Sequence, residues 1–168
     1  MDKYALVFDE YACWGCLTCE VACKQEYNPI DVADGVKYLS VWPDGPKLVN
    51  GKLDFIWRVA VCKHCEDPAC LPVCPTGALT KRPDGIVILN EEDCTGCQAC
   101  IPACPYNAID FDEKGAKAIK CNLCYHRVDQ GLYPACADNV CLAHCIYFGD
   151  PAEIEKVIAE KRRAANLA

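Results

Sequence analysis

The sequence predicts an α+β protein of two small cysteine-rich modules, one nested inside the other, with short β-hairpins and a C-terminal helix. Three observations predict this arrangement. The 168 residues carry 17 cysteines, and these gather in four packets, at 13–23, 62–74, 94–104 and 121–145. The middle packets are neighbours across a short apolar segment with turn residues, whereas the outer packets have only each other as mates. The tail from residue 150 onward has helix-start residues and helical periodicity. A chain of this length reads as one domain, 1–168.

Cysteine at this density in a short chain is ordinarily a disulfide framework, which belongs to secreted proteins. The opening residues Met1 to Glu10 contain no apolar leader segment and are broken by Asp2, Asp9 and Glu10. No stretch nears the roughly 18–20 apolar residues of a membrane span, so no membrane anchor is expected in this chain. A reducing cytoplasm is the expected compartment, where clustered cysteines are metal ligands. The formal net charge is −7 with every cysteine counted neutral. Thiolates holding metal deepen that charge, which excludes a nucleic-acid partner and suits docking on a basic protein face.

Taken in sequence order, packet one is Cys13-x2-Cys16-x2-Cys19-x3-Cys23. Between packets one and two, residues 27–60 form a β insertion. Val36 to Trp42, then Pro43-Asp44-Gly45-Pro46, then Lys52 to Val61 reads as strand, turn, strand from the Val and aromatic enrichment and the Pro/Gly punctuation. Its aromatics are expected to cover the packets from water. Packet two, Cys62-x2-Cys65-x4-Cys70-x3-Cys74-Pro75, has a longer middle gap. Asp84-Gly85 ahead of Ile86-Val87-Ile88-Leu89 marks a hairpin turn and strand. Packet three, Cys94-x2-Cys97-x2-Cys100-x3-Cys104-Pro105, is the bacterial ferredoxin run for a [4Fe–4S] cluster.

That spacing has a mechanical reason. Three close thiolates hold one face of a cubane only if the backbone curls tightly round it. The wider third gap then carries the fourth cysteine to a neighbouring cluster, and the following Pro fixes φ and offers no N–H. Small loop residues such as Thr95 and Gly96 let backbone N–H groups reach sulfur. Zinc sites also use C-x2-C pairs, but they close at four ligands and leave the third short-spaced cysteine unexplained. Packets two and three with their hairpin therefore make an inner ferredoxin-like module, about 61–108. In it Cys62, Cys65, Cys70 and Cys104 hold one cluster and Cys94, Cys97, Cys100 and Cys74 another.

Packets one and four should pair as an outer module, about 1–26 plus 117–150. Cys121, Cys124 and Cys136 then share a cluster with Cys23, and Cys13, Cys16 and Cys19 share one with the last ligand of packet four. Sixteen ligands leave one cysteine spare, and Cys141 and Cys145 compete for that place. The x3 gap after Cys136 lands on Val140, which cannot ligate. His64, His126 and His144 lie beside packets already supplied with sulfur, so packing or hydrogen bonding is their expected role. The C-terminal helix, about 150–166, has Asp150 as cap, Pro151 at its first position and Glu153 to complete a capping box. No phosphate loop, dinucleotide fingerprint or catalytic triad order appears.

The stretches Cys19-Glu-Val-Ala-Cys23-Lys-Gln-Glu26, Cys62-Lys-His-Cys65-Glu-Asp-Pro-Ala-Cys70, Cys94 through Tyr106 and Lys120-Cys121-Asn-Leu-Cys124-Tyr-His126-Arg127 carry a family likeness, as do Gly131 to Cys136 and Phe148-Gly149-Asp150. The chain resembles the four-cluster ferredoxin-type electron-transfer subunits of the dimethyl-sulfoxide-reductase kind of molybdenum and tungsten enzymes, and of related formate dehydrogenases and hydrogenases. The resemblance implies four [4Fe–4S] clusters, the same inner and outer pairing, and Cys141 as the last ligand with Cys145 a buried free thiol. The sequence departs from the pattern in one added residue between Cys136 and Cys141 and in Leu142 where the family has Pro. The resemblance also implies a non-catalytic relay of single electrons to or from a large molybdenum or tungsten pterin subunit, with a further subunit exchanging electrons with NAD or ferredoxin. Small soluble versions resemble the polyferredoxin subunits of tungsten aldehyde oxidoreductases and aromatic-acyl-CoA reductases. The alternatives are a free-standing polyferredoxin carrier, or the electron subunit of a hydrogenase or carbon monoxide dehydrogenase.

Overall fold

Short strands separated by polar turns pair mostly with their neighbours in sequence, and among the described residues they form four antiparallel two-stranded sheets. The computed structural model describes residues 4–27, 35–49 and 51–164. Parts of the expected outer module, insertion and tail, at 1–3, 28–34, 50 and 165–166, lie outside the described residues. The elements are β1 (Ala5–Phe8), α1 (Thr18–Tyr27), β2 (Leu39–Val49), β3 (Lys52–Val61), β4 (Leu79–Lys81), β5 (Val87–Leu89), α2 (Cys100–Ala103), β6 (Ile109–Asp112), β7 (Lys117–Lys120), α3 (Tyr125–Val128), β8 (Ile146–Gly149) and α4 (Pro151–Ala164). Three sheets are hairpins of consecutive strands, β2–β3, β4–β5 and β6–β7. The fourth joins segments from the two ends of the sequence, with Ala5 opposite Gly149 and Phe8 opposite Ile146.

The β2–β3 hairpin departs from expectation. Pro43 to Pro46 is not its turn: β2 runs through these residues to Val49, which stands opposite Lys52, the first residue of β3. Pro43 stands opposite Trp57, and the register shifts between Asp44 and Lys47 to absorb Gly45 and Pro46. A two-stranded ribbon explains this, because each strand has an outer edge where a missing N–H costs no ladder bond, and a bulge accepts the rest. The β4–β5 turn is as expected. Gly85 N–H donates to Arg82 O, and Ile86 N–H to the Asp84 carboxylate at 3.1 Å.

The apolar core lies in two clusters. Leu6, Leu39, Val41, Val59, Val61, Ile86 and Leu123 form one together with Cys19, Cys23, Cys121 and Cys136. Leu79, Val87, Ile109 and Ala118 form the other with Cys70 and Cys100. Cysteines are thus core members. Charged side chains fasten the periphery. Asp9, buried beneath α4, takes Arg162 at 2.7 Å, and Glu10 takes Arg58 at 2.8 Å and the Val59 N–H at 2.9 Å. Buried Glu20 of α1 accepts the Val41 N–H at 2.5 Å and Lys37 at 2.7 Å. Asp150 caps α4 through the Ala152 and Glu153 N–H groups at 2.8 and 3.2 Å. The Glu153 carboxylate does not close the expected box; it pairs with Lys156 at 2.6 Å, one turn on.

Candidate metal centres

A C-x2-C loop that must turn its amides toward a sulfur needs a left-handed residue, and every packet supplies one at the same place. Gly15, His64, Gly96 and Leu123, each just before the second cysteine, have φ of 66°, 47°, 69° and 60°. This conformation aims backbone donors at thiols: Gly15 N–H reaches Cys13 Sγ at 3.4 Å and Leu123 N–H reaches Cys121 Sγ at 3.3 Å. Glycine marks two of the four positions in the sequence. His64 and Leu123 adopt it against their side-chain preference, so no local signal announces them.

The curled loops bring the cysteines together in sets. Cys62, Cys65, Cys70 and Cys104 line one cavity with Val87 and Ile109. Cys74, Cys94, Cys97 and Cys100 line a second with Leu79, Leu89 and Ala118. Cys13, Cys16, Cys19, Cys141 and Cys145 line a third with Phe8, Val41 and Val59. Cys23, Cys121, Cys124 and Cys136 are close enough for their charges to repel. Helical spacing explains how a packet serves two sets. Cys19 and Cys23 share α1, yet Cys19 stands by Cys13 and Cys141 while Cys23 stands by Cys121 and Cys124.

The fourth packet holds both rivals at the same cavity. Cys141 Sγ and Cys145 Sγ are 3.5 Å apart, and the Cys145 N–H points at Cys141 Sγ, also 3.5 Å away. Cys145 is buried at 2% exposure, while Cys141 is half-buried. Among the described residues, no three His, Cys, Asp or Glu side chains converge as a single metal ion requires. Four sulfurs around a space, with apolar walls, instead fit a larger thiolate-bound group such as an iron–sulfur cubane.

Electrostatics point the same way. Burial, helped by neighbouring thiols, pushes Cys70 up to about 11 and Cys19 up to about 12. Burial likewise raises Cys121 to about 12 and lifts Cys23 and Cys136 further. Thiolates are unstable in such company unless a cation core neutralises them, and ligation requires the thiolate. At the surface the balance reverses: the Thr18 hydroxyl, 3.2 Å from Cys16 Sγ, holds that thiol below its usual value.

Two polar residues in the core were not singled out as a pair from sequence. Lys120 is 3% exposed, and its Nζ donates to Val87 O at 2.5 Å and Cys121 O at 2.7 Å. His64 is 8% exposed, and its Nδ1 accepts the Val87 N–H at 3.0 Å. Burial, with Lys120 nearby, pulls His64 down to about 3. At the surface the His126 ring meets Glu26 at 2.8 Å, whereas at His144 it is the backbone carbonyl that accepts Lys161 Nζ, at 3.2 Å.

Comparison with known proteins identifies the kind of domain. A family model described as a 4Fe-4S dicluster domain matches residues 53–151, and one described as a 4Fe-4S binding domain matches residues 10–28. The B subunit of anaerobic dimethyl sulfoxide reductase from Haemophilus influenzae is 41% identical, the match covering 82% of this sequence and 70% of that one. The polysulfide reductase B subunit of Wolinella succinogenes is also 41% identical, over 95% of this sequence and 84% of its own. The anaerobic dimethyl sulfoxide reductase B subunit of Escherichia coli is 36% identical, over 92% and 77% respectively.

Proposed function

The protein belongs to the 4Fe-4S dicluster family of iron–sulfur electron-transfer subunits with four [4Fe–4S] clusters, and from this premise we propose how it is organised and whom it serves. It relays single electrons to or from a large catalytic subunit carrying a molybdenum or tungsten pterin. Cys62, Cys65, Cys70 and Cys104 hold one inner cluster, and Cys74, Cys94, Cys97 and Cys100 the other. Cys23, Cys121, Cys124 and Cys136 hold an outer cluster, and Cys13, Cys16, Cys19 and Cys141 the last. The observation that carries this assignment is the gathering of sequence-distant cysteines round separate cavities. The β1–β8 ladder supports a nested outer module, since it joins segments on either side of the inner one.

Cys141 is favoured over Cys145 because its sulfur receives a backbone N–H, as those of Cys13 and Cys121 do; nearness to the other thiols does not separate the two, since Cys141 neighbours Cys19 and Cys145 neighbours Cys13. Seventeen cysteines free of disulfides support a reducing compartment, the cytoplasm. Among the described residues no helix is long and apolar enough to cross a membrane. Names of the relatives, B subunits of dimethyl sulfoxide and polysulfide reductases, support a large pterin-bearing partner. Anaerobic purification should yield about 16 iron atoms per molecule, and gentle capture should bring down a large molybdenum- or tungsten-containing subunit. Zinc in place of iron would sink the cluster assignment. Full iron with no captured partner would favour a diffusible carrier.

A further inference from the structure

His64 and Lys120 meet at the free edge of β5, where a third strand would otherwise pair. Val87 offers its N–H to His64 Nδ1 at 3.0 Å and its carbonyl to Lys120 Nζ at 2.5 Å. The first bond settles the tautomer. A ring nitrogen that accepts an N–H bears no proton, so the ring is neutral and its hydrogen sits on Nε2. That Nε2 is buried and has no hydrogen-bond partner. Its charged neighbour Lys120 donates to two carbonyls and is no evident acceptor. A buried donor left unmet costs on the order of 1–3 kcal/mol, so the site is built to present this N–H to something.

The surroundings say what that is. His64 lies in the loop between Cys62 and Cys65, and Val87 lines the cavity of Cys62, Cys65, Cys70 and Cys104. Lys120 precedes Cys121, whose thiol is near enough to Cys62 for their charges to repel. Lys120 is also an electrostatic neighbour of Cys70. An inner and an outer cysteine set therefore come together at this polar pair. We propose that His64 Nε2–H donates a hydrogen bond to a sulfur of one of the two clusters that meet beside Lys120, and thereby raises that cluster's reduction potential. This rests on the cysteine assignment proposed above. The sign follows from charge: an added electron makes the cluster more negative, and a donated N–H stabilises the reduced form more than the oxidised one. His64 is a positioning and tuning residue here, with no ligand role.

The test uses the full-length protein purified anaerobically with its clusters. Iron is counted first in the unaltered protein, because fewer than four clusters there would overturn the cysteine assignment, whatever His64 does. His64→Asn keeps an acceptor near the Val87 N–H but has no atom at the Nε2 position; His64→Gln can place a donor there. Redox titration followed by EPR should show one midpoint falling in His64→Asn, by roughly a tenfold change in the one-electron equilibrium, about 59 mV, with the others unmoved. His64→Gln should return most of that shift. Unchanged midpoints in an iron-replete His64→Asn protein would overturn the inference and assign Nε2 to a buried water. A shift shared by all four clusters would also overturn it, because that marks a general loosening of the fold. If His64→Asn does not retain iron, pulsed EPR on reduced protein with ¹⁵N-histidine and His126→Gln and His144→Gln substitutions decides the matter. A histidine nitrogen coupling at one cluster is expected, and its absence from all of them would overturn the proposal.

Discussion

At Gly96 a Cβ would stand 2.3 Å from the Ala116 carbonyl oxygen, and φ there is +69°. Backbone cannot step aside as a side chain can. Gly96→Ala therefore combines left-handed strain with a clash and should cost on the order of 3 kcal/mol. The expected readout is loss of the Cys74, Cys94, Cys97 and Cys100 cluster signal with lowered thermal stability. Gly51→Ala is the control: its φ is +77° but nothing lies within 4 Å, so about 1 kcal/mol and no iron loss are expected. Cys141→Ser should lower the iron content by up to one cluster, whereas Cys145→Ser should leave it whole; metal analysis of the pair checks the assignment. The reverse pattern would give the place to Cys145. At this scale spacing made the inner cysteines legible, because three close thiolates and a trailing Cys-Pro leave few other uses. It could not separate Cys141 from Cys145, whose sulfurs share a cavity, nor foresee the left-handed turns at His64 and Leu123, which tertiary packing imposes.

Among elements, α1 is bound to α3 by one carboxylate. Glu26 accepts from His126 at 2.8 Å and Arg127 at 3.1 Å. Bonding to His126 and the charge of Arg127 hold Glu26 below its ordinary value near 4.5 despite some burial. A depressed carboxylate binds fewer protons folded than unfolded. Its stabilisation is thus complete above about pH 4.5 and is lost as pH falls through the lower folded value. Glu26→Gln should remove that acid-labile part and cost about 1 kcal/mol at neutral pH, the partial exposure keeping it small; denaturant melts at pH 7 and pH 4 check both. At the far end, Asp150→Ala should cost about 1 kcal/mol by uncapping α4, read in helical circular dichroism. That helix was legible from Asp150 and Pro151 because caps are local chemistry. The hairpin turn was not: Pro43 and Pro46 look like breakers until the strand is known to have a free edge.

For the molecule as a whole, the candidate cluster ligands are themselves members of the apolar core. Cys19, Cys23, Cys121 and Cys136 sit inside one apolar cluster, Cys70 and Cys100 inside the other. Stripping iron anaerobically with a chelator and reductant should therefore abolish the cooperative thermal transition along with near-ultraviolet dichroism, as happens when metal binding is folding energy. A melt unchanged by iron loss would contradict this. Arg82 ties the inner hairpin to packet four through Asp129 at 2.6 Å, an exposed link worth little on its own. The pairing of β1 with β8 was not legible in the sequence, since strand pairing over such a span leaves no local mark.

That pairing imposes a calendar on biogenesis. A ribosome releases β1 and packet one first, but β8 and Cys141 much later, and domains form as their parts emerge. Packets two and three, by contrast, are complete once Cys104 has been made. On the cysteine assignment proposed above, the inner clusters can be installed while the polypeptide is still growing, and the first-made thiols wait for the later stretch that brings β8 to β1. During that interval Cys13, Cys16, Cys19 and Cys23 are all open to oxidation, so a truncated or stalled product would lose the two centres that packet one begins.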